Sequence, residues 1–110
     1  MRLLDELLGD IGSAEAVALV SGLIEKYGGV RGIVAQLERQ GLRETPGSWV
    51  GPGSNLPISA IQVRQVFGAD TIKELAERVG LDPRDAAQQL SRLLPQAIDK
   101  LTPDGVIPRT

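Results

Sequence analysis

TIKELAERVGLDPRDAAQQLSRLL, residues 71–94, reads as two helices joined by a tight turn. Thr71 and Glu74 form a T-x-x-E capping box, which predicts a helix start at Thr71. Ile72, Leu75, Ala76 and Val79 follow at i, i+3, i+4 and i+7, one complete buried face. Lys73–Glu77 and Glu74–Arg78 have the spacing of opposite-charge pairs on the outer face. Gly80 fits the left-handed residue that closes a helix. Asp82 then fits an N-cap and Pro83 the first helical position, where its missing N–H is no loss. The second helix should bury Ala86 or Ala87, then Leu90, Leu93 and Leu94. This is the outline of a helix-turn-helix.

Working outward, Pro95 cannot donate to the carbonyl of Ser91 and predicts a kink or an end. Apolar spacing resumes at Ala97, Ile98 and Leu101, so a further segment to about Leu101 is expected. Upstream, Ser59 and Gln62 form an S-x-x-Q capping box, with Ile58 and Val63 placed as a hydrophobic staple. The helix they start should run to about Phe67, bury Ile61 or Val63 with Val66 and Phe67, and end at Gly68. Before it lies ETPGSWVGPGSNLPI, residues 44–58, a Pro/Gly-rich loop with a helical turn expected around residues 48–50. Trp49, the single tryptophan, either pins that loop to the core or stands out as a stacking platform or contact anchor.

The first part, residues 1–43, reads as helical. Ser13 is placed to cap a helix running to about Tyr27. Val17, Ala18, Val20, Ser21 and Ile24 make its stripe, and Leu19 and Leu23 widen it, as in a buried central helix. Gly28 and Gly29 stop it. Residues 30–40 carry Val30, Ile33, Val34 and Leu37 on one face, then Gly41 and Leu42 in Schellman positions. Gly32 is expected to permit a close crossing. Leu3, Leu4, Leu7 and Leu8 give residues 1–9 one apolar face. Residues 102–110 read as a tail opening on the turn Thr102-Pro103-Asp104-Gly105.

The sum is an all-α fold, a single domain of six or seven short helices over 1–110, with a three-helix motif at about 59–101. Its 110 residues suit one domain that buries a core without staples. Aromatics are only 3%, so Leu, Ile, Val and Ala must build that core. The sequence has no cysteine and no histidine, which excludes disulfides, Cys/His zinc sites and Ser–His or Cys–His nucleophiles. No cofactor or metal-ligating set is expected. The most apolar run, residues 14–24, is too short to span a bilayer. Asp5, Glu6, Asp10 and Glu15 sit where a signal peptide would be basic or apolar, so a cytoplasmic protein is expected. The Gly-rich loop lacks the Gly-Lys-Ser/Thr ending of a P-loop.

The run SWVGPGSNLPIS at residues 48–59, the fragment Phe67-Gly68-Ala69-Asp70 and the ending Leu93-Leu94-Pro95 through Asp99-Lys100-Leu101-Thr102-Pro103-Asp104-Gly105 resemble one group, the YidB-like bacterial proteins. Leu3-Leu4-Asp5-Glu6-Leu7-Leu8-Gly9 and Gly28-Gly29 fit as well, so the similarity covers nearly the whole chain. The resemblance implies an all-α fold of unknown function containing a homeodomain-like three-helix motif, which by position falls at 59–101. It implies no catalytic residues.

Three functions fit these residues to different degrees. A non-catalytic module that binds an unknown protein partner, or serves a structural role, suits a formal net charge of −2 and the absence of a reactive constellation. A nucleic-acid-binding protein would use the 82–94 helix as recognition helix, with Arg84, Gln88, Gln89 and Arg92 outward. Against it, Asp82 and Asp85 occupy the first turn, and residues 71–100 hold five basic and five acidic side chains, 5 − 5 = 0. A carboxylate enzyme would need Glu15 with Glu25, Glu38 with Glu44, or Asp82 with Asp85, each more simply a cap or a solvated face.

Overall fold

The computed structural model describes residues 8–51, 54–103 and 105. Ser13 accepts a hydrogen bond from the Ala16 amide at 3.1 Å and starts α1, Ala14–Lys26. Helix α2 is Val30–Arg39, α3 Glu44–Val50, α4 Ala60–Phe67, α5 Ala69–Val79 and α6 Pro83–Leu101. These six helices are the regular structure among the described residues, which include no strand. Residues 1–7 of the expected apolar opening lie outside the described set; Leu8, at its end, is fully buried.

Local chemistry sets most of the boundaries. Ser59 accepts from the Gln62 amide while Gln62 Oε1 accepts from the Ser59 amide, both at 3.0 Å, so the expected capping box starts α4. Asp82 accepts from the Arg84 amide at 2.8 Å and Pro83 opens α6. Helix α5 closes at Gly80, whose φ of +73° is cheap only without a Cβ. The Leu81 amide returns to the Ala76 carbonyl and the Gly80 amide to that of Glu77, the two bonds of a Schellman motif. The same pair of bonds ends α1 at Gly28-Gly29 and α2 at Gly41-Leu42. The Gly105 amide reaches the Thr102 carbonyl at 3.0 Å, closing the expected turn after α6.

Two expectations change and one alternative is decided. Helix α5 begins at Ala69, not at a Thr71 cap. Gly68, with φ +90°, ends α4 and also supplies the carbonyl that receives the Ile72 amide at 3.2 Å. Thr71 is therefore inside the helix and Glu74 is released to ion pairs. Helix α6 does not end at Pro95 and continues to Leu101, where the resumed apolar spacing placed its close. Finally, α1 is not the central helix: Ala14, Glu15, Ala18, Glu25 and Lys26 are exposed on it. That place belongs to α6, which packs on α1, α3, α4 and α5. Leu90, Leu94, Ala97 and Ile98 are its fully buried centre.

The N-terminal helices are tied to α4 at its open end. Gln36 Nε2 on α2 donates to the Val66 carbonyl at 2.7 Å, and the Tyr27 hydroxyl donates to the Phe67 carbonyl at 3.2 Å. The rings of Tyr27 and Phe67 meet edge to face, with centroids 5.2 Å apart. Two carbonyls with no partner inside the helix are thus satisfied by side chains more than twenty residues away in sequence.

Gly32 is where space is tightest. A Cβ built there would lie 1.5 Å from the Tyr27 carbonyl oxygen, which is rigid backbone, whereas one at Gly47 in α3 would meet nothing within 4 Å. Gly32→Ala is expected to destabilise the fold by about 3 kcal/mol, the upper part of the usual overpacking range. Gly47→Ala is expected to stabilise it by roughly 0.5–1 kcal/mol through helix preference. Urea unfolding of both variants beside the parent chain checks the opposite signs.

Candidate functional site

The outer face of α6 holds the residues that a recognition helix would use. Arg84, Gln88 and Arg92 are exposed and Gln89 is half-buried. Arg92 donates to Gln89 Oε1 at 2.7 Å, and Gln96 Nε2 donates to the Arg92 carbonyl at 3.3 Å. The structure therefore brings Arg84, Gln88 and Arg92 onto one face, i to i+4 to i+8. Asp85 and Asp99 are exposed on the same helix, and Lys100 is held by Asp10 at 3.0 Å. The face alternates in sign and carries no positive surplus.

The carboxylate pairs considered from sequence gain no pocket. Glu15, Glu25, Glu38, Glu44, Asp82 and Asp85 are all exposed. Asp82 is engaged as the α6 cap. Among the described residues, no group of three or more carboxylates could hold a metal ion. Of the ion pairs expected on α5, Glu74–Arg78 forms at 3.7 Å, and Glu74 also meets Lys26 of α1 at 3.6 Å. Lys73 and Glu77 stay exposed and form no ion pair among the described residues.

Trp49 is fully buried, which removes it as a stacking platform or contact anchor. Its indole Nε1 donates to the Leu56 carbonyl at 2.7 Å. The neighbouring Ser48 Oγ accepts from the Leu56 amide at 2.8 Å and donates to the Thr45 carbonyl at 2.6 Å. Leu56 is thus held to α3 through both its backbone groups. Its side chain is left 43% exposed, and Ile61 in the first turn of α4 is 59% exposed. These are the large apolar side chains that reach solvent among the described residues. The sequence left Ile61 and Val63 as alternatives. Spacing decides between them, since Val63, Val66 and Phe67 share a face at i, i+3 and i+4 and Ile61 lies on the other side.

An all-α protein with capped short helices packed round one long helix is the class these features define. The sequence profile described as YidB-like protein matches residues 3–110, and the chain belongs to that family. One relative, from Escherichia coli (strain K12) and described as "Uncharacterized protein YidB", is 27% identical over 110 residues, covering 97% of this chain and 83% of the relative. No solved structure matches the chain. No helix among the described residues is long and apolar enough to cross a membrane.

The burial of Trp49 has a direct optical readout. Native emission is expected to be blue-shifted and poorly quenched by acrylamide, moving to the solvated range on unfolding. Trp49→Phe, which leaves the Leu56 carbonyl without its donor, is expected to cost about 1–3 kcal/mol in thermal unfolding. Ser48→Ala is expected to cost less, because the exposed Leu56 amide can turn to water.

Proposed function

We propose that the chain is a non-catalytic module that binds another protein or has a structural role, acting as a single domain over residues 1–110. The observation that carries this reading is the pair Leu56 and Ile61, the large apolar side chains that are exposed among the described residues, at the entry to α4. An apolar contact point rimmed by polar groups is the form protein-binding surfaces take. The dispersed, solvated carboxylates support a non-enzyme with no catalytic, cofactor-binding or metal residues.

The second reading is nucleic-acid binding through the 82–94 helix. It is favoured by the line of Arg84, Gln88 and Arg92 on one exposed face. In that reading α4, α5 and α6, which pack on one another, act as a homeodomain-like, helix-turn-helix-like unit. The charge balance of α6 is the argument against it. Phosphate contacts dominate affinity for nucleic acid and call for a positive surplus.

The two readings separate in a gel-shift and heparin-retention experiment at low salt, run beside in-cell crosslinking. The expected result is no shift, no heparin retention, and crosslinked proteins that decrease in Leu56→Ser/Ile61→Ser cells. A shift that disappears in Arg84→Ala/Arg92→Ala would replace the first reading with the second.

A further inference from the structure

Positive charge is unevenly distributed over this fold. On α1, α5 and α6, Lys26 and Arg78 share Glu74, and Lys100 is paired with Asp10. On α2, α4 and the residues between them the basic side chains are Arg31, Arg39, Arg43 and Arg64, all exposed. None of these four forms an ion pair among the described residues. Residues 27–68 hold these four arginines against Glu38 and Glu44, 4 − 2 = +2; the remainder holds eight basic and twelve acidic residues, 8 − 12 = −4. Lys73, Arg84 and Arg92 also form no ion pair among the described residues, but residues 69–103 hold five basic and six acidic side chains, 5 − 6 = −1, so it is the net positive charge that lies on the α2–α4 side.

Two shallow grooves flank the end of α2 on that side. Ala35, Glu38, Arg39 and Arg43 line one. The other runs between α2 and α4 and is lined by Gln40, Leu42, Gln62, Gln65 and Val66. Leu42 and Val66 give it an apolar floor, and the three glutamines give it donors and acceptors. Gln65 is exposed and uses neither end of its amide within the described residues. Ile61, 59% exposed, stands on α4 one turn before Gln65. Guanidinium groups bind carboxylates in a two-bond fork, which a flexible lysine ammonium does not match.

Resting on the protein-interaction reading, we infer that the α2–α4 face docks an acidic, amphipathic segment of a partner protein. Its carboxylates meet Arg39 and Arg43, and its apolar side lies along Leu42 and Val66. A protein segment fits better than a nucleic acid. A duplex brings about one charge per 1.7 Å against a chain that is itself negative. A short acidic segment meets the local arginines while its small total charge limits repulsion from the rest of the surface.

Fluorescence anisotropy of the full chain tests this with a labelled helical peptide of Glu, Ala and Leu, leucines at i, i+3, i+4 and i+7. The expected result is saturable binding, weakened about tenfold or more by Arg39→Glu/Arg43→Glu and restored in part by a Lys-for-Glu peptide on that variant. Arg84→Glu/Arg92→Glu on α6 should leave it unchanged. Both pairs are exposed, and circular dichroism confirms that each variant is folded. The proposal is overturned by absence of saturable binding, by indifference to the Arg39/Arg43 change, or by tighter binding of a single-stranded oligonucleotide of equal length. Self-association lost in Arg39→Glu/Arg43→Glu would assign the face to a second copy and overturn it as well. Crosslinked partners retained in Arg39→Glu/Arg43→Glu cells would remove this face while keeping the interaction reading; no partner for the parent chain would remove that reading itself.

Discussion

Burial of the inner face of α6 is the interaction that the other helices depend on. Leu90, Leu93, Leu94 and Ile98 are nearly or fully buried between α1, α3, α4 and α5. At roughly 1.5–3 kcal/mol each, these four side chains contribute on the order of 6–12 kcal/mol before entropy is counted. A proline in a helix interior costs about 3 kcal/mol. Breaking α6 at Pro95 would separate Leu93 and Leu94 from Ala97 and Ile98, so continuity through the proline is the cheaper solution. Pro95 is itself buried, and Asn55 Nδ2 lies 3.5 Å from its carbonyl, bringing the segment after α3 against the same turn.

A hub helix alone would not fix how the first half of the chain meets the second. That is done by polar groups at the end of α4. Eight residues make barely two turns, and a short helix leaves a large share of its carbonyls without internal partners. Gln36 and Tyr27 supply donors to two of them. The donors come from α2 and from the residue after α1, so their positions depend on the tight turn joining those helices. Gly32 permits that turn by letting the Tyr27 carbonyl sit where a side chain would stand. A steric constraint at one glycine is thus linked to hydrogen bonds at another helix's end.

The features legible in the sequence were the local ones. Ser13, Ser59, Asp82, Gly41 and Gly80 each act within four or five residues of themselves, and each does what its spacing implied. Where tertiary packing competes with a local signal, the signal loses. The T-x-x-E at Thr71 is a sound cap in isolation. Gly68 can end one helix and start the next, which removes the linker that a Thr71 cap required. Pro95 is a strong breaker locally, but it is overruled by apolar residues on both sides. The depth of Trp49 was open for the same reason, because the carbonyl that takes its indole N–H is seven residues away across a Pro/Gly-rich segment.

Function was less legible because it depends on which exposed groups are already engaged. In sequence, Arg92 and Arg39 are equivalent: each is a helix arginine with a glutamine three residues before it, and each donates to that glutamine. Their surroundings differ. Arg92 lies on a helix whose exposed acids and bases alternate, and a face of that kind is close to neutral at the distance of a Debye length. Arg39 stands with Arg43 beside a groove on the side of the fold where cations outnumber acids. A helix-turn-helix outline directs attention to Arg92. Net charge directs it instead to α2, since residues 27–68 carry four basic side chains against two acidic ones whereas residues 71–100 carry five of each.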